Sequence, residues 1–213
     1  MHPFLEKNYK SYLKDKYFVL SSLFAVLFFI LSLFINYYSG VYANRVQSNP
    51  VTDVILSNTP VFDVDFIFVY GIVAFCIFVL ILCLARWRVI PFVAKALALF
   101  VIVRSIFITL THLGLFPDAI PMDSNILSKF TFGGDLFFSG HTGLPFLMAL
   151  IFWDNKVLRY VFLVMSFLFG ATVLLGHYHY TIDVLASFFI TYGVYDIAVY
   201  FFKKDHKIFV NGV

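Results

Sequence analysis

Two short runs place histidines and a carboxylate among long apolar segments. They read Ser139-Gly140-His141-Thr142 and His179-Tyr180-Thr181-Ile182-Asp183. Charged groups are costly in such segments, so they are candidates for function. On a helix, His179 and Asp183 share one face because they are four residues apart, and Asp183 can then orient the imidazole and stabilise its protonated form. With His141 to handle the leaving group's proton, these residues suffice for covalent phosphoryl transfer. The alternative is two unrelated histidines at hydrated helix ends.

The same runs carry a family resemblance. Residues 134–142, GDLFFSGHT, and residues 179–184, HYTIDV, resemble the two signature motifs of the sphingomyelin synthase family. That family is a branch of the phosphatidic acid phosphatase type 2 superfamily, and the resemblance covers roughly residues 50–200. The superfamily also has a Lys-x6-Arg-Pro motif, which is missing here: Lys95 and Arg104 are nine residues apart, and Ser105 stands in the place of the proline. This departure favours the synthase branch over the plain phosphatases.

The resemblance implies a membrane lipid phosphotransferase. In that chemistry His179, oriented by Asp183, attacks the phosphorus of a phospholipid and forms a phosphohistidine. His141 protonates the departing lipid alcohol and then activates the acceptor hydroxyl. If the acceptor is ceramide or diacylglycerol, the enzyme is a headgroup transferase. If the acceptor is water, it is a lipid phosphate phosphatase or a phospholipase C-like hydrolase. The sequence leaves both open, with a non-enzymatic transporter or scaffold as a third reading, although neither inverted repeats nor helices broken at the midplane are evident.

The composition is that of a membrane protein, since 62% of the residues are hydrophobic and only 13% are charged. A soluble domain usually carries about a quarter charged residues. Six apolar runs are long enough to cross a hydrocarbon core of about 30 Å. We therefore predict an all-α integral membrane fold with six transmembrane helices, at roughly 17–38, 64–85, 89–113, 136–153, 157–176 and 181–202.

Basic residues predict the orientation of these helices. Lysines precede the first run and follow the last, and further basic residues lie between runs two and three and between runs four and five. The positive-inside rule therefore places both termini in the cytoplasm. We divide the chain into a cytoplasmic N-terminal segment (1–16), a six-helix transmembrane catalytic domain (17–202) and a cytoplasmic C-terminal tail (203–213). The net charge of +3 then reflects topology, and we expect no nucleic-acid partner.

This topology brings the reactive residues to one side of the membrane. His141 lies near the outer end of the fourth run, His179 and Asp183 begin the sixth, and Arg104 lies about 14 Å before the outer end of the third. We expect one multi-pass site on the non-cytoplasmic side. Its partners would be a phospholipid donor, a lipid alcohol or water as acceptor, and the surrounding membrane lipids. The sequence leaves the oligomeric state open.

Several other residues are candidates for roles in this site. Arg104 would bind the substrate phosphate with two guanidinium donors, the alternative being a structural ion pair. Ser139 and Gly140 would bring a hydroxyl and backbone N–H groups to the anion at a helix N-terminus, a role compatible with an ordinary serine N-cap. Asp135, part of the family-like motif, would tune a catalytic histidine or hold an acceptor hydroxyl. His112 and His177 are candidate accessory residues or, alternatively, interfacial histidines.

The remaining ionisable residues are assigned outside the chemistry. We expect Lys95 to face away from Arg104 and to extend its ammonium group to the cytoplasmic interface. Asp53, Asp63 and Asp65, in the connection after the first run, are interpreted as solvated loop charges rather than metal ligands. We predict no metal and no cofactor, because Arg104 and the two histidines already supply positive charge.

Overall fold

The computed structural model describes residues 9–119 and 136–211, and all regular structure within these ranges is helical. The α-helices are α1 (Tyr9–Lys14), α2 (Lys16–Arg45), α3 (Ile72–Ala85), α4 (Ile90–Leu110), α5 (Gly140–Ile151), α6 (Lys156–Leu175), α7 (Thr181–Phe201) and α8 (Lys203–Asn211). A π-helical turn, Ile67–Gly71, leads into α3, and short 3₁₀ turns lie at Leu56–Asn58 and Trp87–Val89. The predicted all-helical class is confirmed for the described residues.

Helix starts follow ordinary capping chemistry. The side chains of Asp15, Ser139 and Asn155 each accept a hydrogen bond from a backbone N–H in the first turn of α2, α5 and α6. Such caps satisfy backbone donors that have no partner within the helix. Among these three helices, α5 is the one whose cap lies inside a predicted apolar run, so the run and the helix do not begin together.

Five helical segments are long and apolar enough to cross a membrane. They are Lys16–Arg45, Ile67–Ala85, Trp87–Leu110, Lys156–Leu175 and Thr181–Phe201. Each coincides with a predicted run, although the first helix is longer than the run that predicted it. Together they indicate an integral membrane protein, and most of the large apolar side chains on α2, α3 and α6 face outward, as lipid contact requires.

The fourth predicted span, 136–153, is the exception. Its helix, α5, has 12 residues, which corresponds to roughly 18 Å along the axis and falls short of a core of about 30 Å. Most of its residues are buried, and it packs against α6 and α7. A sixth crossing and the cytoplasmic placement of both termini therefore stay predictions.

Packing places α4 near the centre of the bundle. Half of the apolar stretch of this helical segment is buried, and α4 contacts α2, α5 and α7. The largest core cluster joins α3 to α7 through aromatic and aliphatic side chains such as Phe92, Phe100, Phe138, Leu147 and Phe162. This apolar middle separates two ends of the bundle that carry polar clusters.

At one end, the prediction that Lys95 extends its ammonium group to the cytoplasmic interface is wrong. Its ammonium group is buried, forms an ion pair of 2.6 Å with Asp205 on α8 and donates to the Ser21 hydroxyl at 2.7 Å. It also lies over the rings of Phe24 and Phe202. A buried carboxylate stabilises the ammonium charge more than distant interfacial water would, so the side chain turns into the bundle. The described part of the predicted tail, Lys203–Asn211, is a helix, and Asp205 ties it to the bundle.

Candidate active site

The His179 ring and the Asp183 carboxylate form the centre of the site at the other end of the bundle. His179 Nδ1 lies 3.0 Å from Asp183 Oδ2, with side-chain exposures of 5% and 0%. The same oxygen accepts the backbone N–H of Tyr180 at 3.0 Å. A carboxylate accepts and does not donate, so Nδ1 carries the proton and Nε2 is left with a lone pair. His179 therefore presents the nitrogen that can act as a nucleophile.

The local conformation explains how these two groups meet. The α7 helix begins at Thr181, so His179 lies in the turn before it, and Asp183 in the first turn reaches back towards the chain entering the helix. His177, two residues before His179, has a φ of 55° in the left-handed region. Non-glycine residues in that region are uncommon and concentrate at functional sites.

His141, in the first turn of α5, is held by the π-helical turn before α3. Its Nε2 donates to the carbonyl of Phe68 at 3.1 Å, because a carbonyl oxygen can only accept. The Phe68 ring stacks on the imidazole with ring centres 4.1 Å apart. These contacts leave Nδ1 as the nitrogen of His141 that can exchange a proton with a substrate. π-helical turns occur often at functional sites.

Backbone and hydroxyl contacts join the two histidine motifs. The Ser139 N–H donates to the Asp183 carbonyl at 3.4 Å. The Ser187 hydroxyl, on the next turn of α7, contacts the carbonyls of both Ser139 and Asp183 at 3.0 and 2.6 Å. His141 consequently lies within electrostatic range of His179. Residues nearly forty positions apart in the sequence thus share one site.

Arg104 reaches the same site from α4. Its Nε donates to the carbonyl of Phe138 at 3.0 Å, and its Nη1 donates to Asn36 Oδ1 on α2 at 3.1 Å. A Cβ at Gly140 would lie 3.2 Å from Arg104 Nε, so a glycine lets the guanidinium approach the start of α5. Phe137, with a φ of 88°, precedes the residue whose carbonyl accepts from Arg104. The guanidinium is therefore fixed beside Gly140, at the start of α5.

Ser139 caps a helix and also lies at a possible anion-binding position. Its hydroxyl caps α5 by accepting from the Thr142 N–H at 3.4 Å and contacts the Thr142 hydroxyl at 3.2 Å. The residue is fully buried, next to the helix N-terminus that Arg104 approaches. A helix N-terminus together with a guanidinium group favours an anion such as phosphate.

The other predicted site residues are placed differently. His112 Nε2 donates to the Thr109 carbonyl at 2.9 Å, and the ring packs against Tyr42, so its described contacts lie outside the pair of motifs. His177 is 2% exposed, and both ring nitrogens lack a hydrogen-bond partner within the described ranges. Its ring meets the edge of Phe116. Asp135 lies outside the described residues.

The interpretation of the loop carboxylates after α2 as solvated charges is wrong for two of them. Asp53 accepts from the backbone N–H and the hydroxyl of Thr181, and Asp65 accepts the phenol proton of Tyr178. Burial, together with the nearby Asp65 carboxylate, raises the pKa of Tyr178. For Asp53, burial alone would raise the pKa, but the hydrogen bonds outweigh it and hold the pKa below its ordinary value. Within the described residues, no cluster of His, Cys, Asp and Glu has an arrangement that could hold a metal ion.

Three residues near the site were given no site role on the basis of the sequence. Asn36 is the single amide in the first apolar run, and that isolation was a usable signal. Phe68 acts through its carbonyl and its ring, and neither feature distinguishes it from the 28 other phenylalanines. Asp53 gave no local signal, because its partner is 128 positions away.

Comparison with known proteins adds one finding. Residues 133–201 match the family model described as PAP2 superfamily C-terminal. The match covers both histidine motifs and the helices α5 to α7 that carry them. Neither the curated proteins nor the solved structures gave a match. This segment is therefore similar to the PAP2 superfamily, and the similarity supports an enzyme of the phosphatase or phosphotransferase type that acts on lipids.

Proposed function

We propose that the protein transfers a phospho-headgroup from a phospholipid to a lipid alcohol, ceramide or diacylglycerol, through a phosphohistidine on His179. The observation that carries the proposal is the pairing of His179 Nδ1 with a fully buried Asp183, which leaves Nε2 as the attacking atom. The resemblance of both motifs to sphingomyelin synthases supports a lipid alcohol as the acceptor.

In the first half-reaction, the lone pair of His179 Nε2 attacks phosphorus. The bond between phosphorus and the oxygen of the departing diacylglycerol breaks, and His141, which enters this step with a proton on both ring nitrogens, gives that oxygen the proton of Nδ1. The phosphorylated imidazole keeps its proton on Nδ1 and gains positive charge. The Asp183 carboxylate stabilises that charge in a site with little water, as the carboxylate of a hydrolase triad stabilises its imidazolium.

The second half-reaction reverses the proton path. His141 Nδ1, now neutral, removes the proton from the acceptor hydroxyl, and the acceptor oxygen attacks phosphorus. The bond between phosphorus and Nε2 breaks and its electron pair returns to His179. Arg104, with the start of α5 at Ser139 and Gly140, would hold the phosphate oxygens in both steps, because preorganised donors stabilise developing charge without reorganisation.

The alternative acceptor is water, which would make the protein a lipid phosphate phosphatase or a phospholipase C-like hydrolase. The surroundings of the reactive pair favour the lipid alcohol. His179 is 5% exposed, and His141 lies under Phe68, whose ring also packs against Tyr178. A site lined by aromatic rings disfavours the entry of water more than that of a lipid hydroxyl.

The test uses the purified full chain with phospholipid labelled in its headgroup phosphate. Three reactions contain ceramide, a diacylglycerol whose acyl chains differ from those of the donor, or no added acceptor. We expect labelled lipid products in proportion to the acceptor. His179→Ala should abolish them, whereas the matched control His206→Ala, on α8 at the far end of the bundle, should retain them. Release of a water-soluble labelled product at a rate independent of acceptor would establish the hydrolase instead. A wild-type protein that converts no lipid in any reaction would overturn the proposal.

A further inference from the structure

The first residue of α7 is capped by a carboxylate from a distant segment. Asp53 Oδ2 accepts the Thr181 N–H at 2.7 Å, and Asp53 Oδ1 accepts the Thr181 hydroxyl at 2.9 Å. The first N–H groups of a helix have no partner within it. Tyr180, the residue at the cap position, makes no side-chain bond to the helix start. Asp53, in the connection after α2, therefore supplies the hydrogen-bond acceptor that the residue just before a helix usually supplies.

The carboxylate is itself held in place by its own turn. The N–H groups of Ile55 and Leu56 donate to Asp53 Oδ1 at 2.9 and 3.1 Å. Leu56 is almost fully buried, in a cluster with Phe116 and Tyr180. A turn anchored by a buried side chain can hold the start of α7 at a fixed position, which a freely moving loop cannot do.

The capped residue lies between the two groups of the reactive pair. Thr181 follows His179 by two positions and precedes Asp183 by two. The neighbouring Tyr180 is bound on both sides, since its hydroxyl donates to the Gly114 carbonyl at 2.8 Å and accepts the Val51 N–H at 3.1 Å. The turn that carries the nucleophile is therefore fastened by groups outside α7.

We propose that Asp53 is a positioning residue for the reaction, which fixes the start of α7 and thereby the placement of His179 against Asp183. The inference rests on the proposed function. None of the described bonds of Asp53 reaches either reactive group, so it acts through Thr181. Its loss should misplace the nucleophile without removing a substrate contact, and small misplacements of reacting groups are costly.

The kinetic test compares Asp53→Ala, Asp53→Asn and the matched control Asp63→Ala in the full chain reconstituted in nanodiscs. Asp63 is an exposed carboxylate in the same connection, and its described bond is to the Asp65 N–H. We expect Asp53→Ala to lower kcat on the order of tenfold with KM changed less than about twofold. Asp53→Asn keeps one acceptor oxygen and should recover part of the loss. Asp63→Ala should match wild type.

Two further measurements separate positioning from general stability and from turnover. Thr181→Val removes the hydroxyl donor, and adding it to Asp53→Ala should cause no further loss in kcat, because both changes break one contact. In protein labelled at its histidines with ¹⁵N, the His179 signal, assigned with His179→Gln, should shift in Asp53→Ala and stay unchanged in Asp63→Ala.

The outcomes distinguish this inference from the proposed function. An active wild type with an unaltered kcat in Asp53→Ala, or losses that multiply in the double variant, would overturn the role of Asp53. A wild type without lipid transfer would refute the function, and the ¹⁵N signal would then decide on Asp53 alone. A His179 signal that is identical in Asp53→Ala and wild type refutes the positioning role.

Discussion

Removing one partner of the buried ion pair between Lys95 and Asp205 should destabilise the protein strongly. The two charged groups are 2.6 Å apart, with exposures of 8% and 3%. The Ser21 hydroxyl contacts both, donating to Asp205 Oδ1 at 2.6 Å and accepting from Lys95 at 2.7 Å. Asp205→Asn leaves the ammonium group buried without a compensating charge, and such losses cost about 3–5 kcal/mol of unfolding free energy.

The paired replacement provides the sharper test. Lys95→Met together with Asp205→Leu removes both charges, and apolar replacements of a buried pair are often close to neutral. Ser21 then loses both partners, at a cost of about 1–3 kcal/mol. Adding Ser21→Ala should recover most of that loss. The double variant should therefore be more stable than Asp205→Asn alone, although it carries one more substitution.

Equilibrium unfolding in mixed micelles measures these differences. Lys204→Met, an exposed lysine on the same helix, is the matched control and should change the unfolding free energy by less than about 0.5 kcal/mol. Turnover at a temperature where all variants are folded should stay within about twofold of wild type, because Lys95 lies about 14 Å from Arg104 along α4. A loss below about 1 kcal/mol for Asp205→Asn would refute the buried pair.

Four other predictions follow from the site. His179→Ala should abolish both turnover and trapping of a phosphoenzyme, whereas Asp183→Asn should keep a small residual rate, since the imidazole loses orientation and charge stabilisation but remains a nucleophile. Arg104→Lys should lower kcat by one or more orders of magnitude despite keeping the charge, because a point-like ammonium cannot reproduce the guanidinium fork. A wild-type rate in this variant would exclude phosphate binding by the guanidinium fork. Because hydrogen bonds depress the folded-state pKa of Asp53, its stabilising contribution should be full above pH of about 4 and disappear as pH falls through the folded pKa, so acid unfolding of Asp53→Ala should be less steep than that of wild type. A cysteine at Val54, in a background without native cysteines, should react with a membrane-impermeant reagent on intact cells, because this connection is predicted to lie on the non-cytoplasmic side. Labelling only after permeabilisation would show the opposite topology.

The positions of the long helices could be predicted because each depends on a local property, an unbroken apolar run. The fourth run shows the limit of that reasoning. Apolar composition continues through residues 136–139, but Ser139 caps the helix and Phe137 adopts a positive φ. A hydropathy criterion includes these residues in the membrane span, although their backbone is not helical. Run length therefore overstates helix length wherever a functional turn is itself apolar.

The contact between His179 and Asp183 could also be predicted, although the geometry differs from the expectation. The spacing suggested two residues on one face of a helix, whereas His179 lies in the turn before α7. The contact survives because Asp183, in the first turn, reaches back to the incoming chain. A carboxylate in this position has a second task, capping the N–H of Tyr180, so that one side chain both starts the helix and orients the ring.

The incorrect interpretations share one cause, a partner that is distant in the sequence. Lys95 and Asp205 are 110 positions apart, and Asp53 and Thr181 are 128 apart. Considered singly, a lysine near a helix end suggests an interfacial charge, and an aspartate in a connection suggests a solvated one. Only the packing of the chain determines that each has a buried or capping partner, and a single sequence does not contain that information in local form.

Long-range hydrogen bonds also connect the site to the N-terminal part of the chain. The proposed reactive groups, His141, His179 and Asp183, all lie within the matched segment 133–201. Contacts within that segment join the two motifs, and two further holding groups come from the first 119 residues: the Phe68 carbonyl binds His141 and Asp53 binds the start of α7. In a membrane, where backbone and polar groups must find partners within the protein, such bonds form only if the whole bundle assembles. On the proposed function, the matched segment supplies the two histidines and Asp183, and the first 119 residues supply Arg104 and two of the groups that hold the site together.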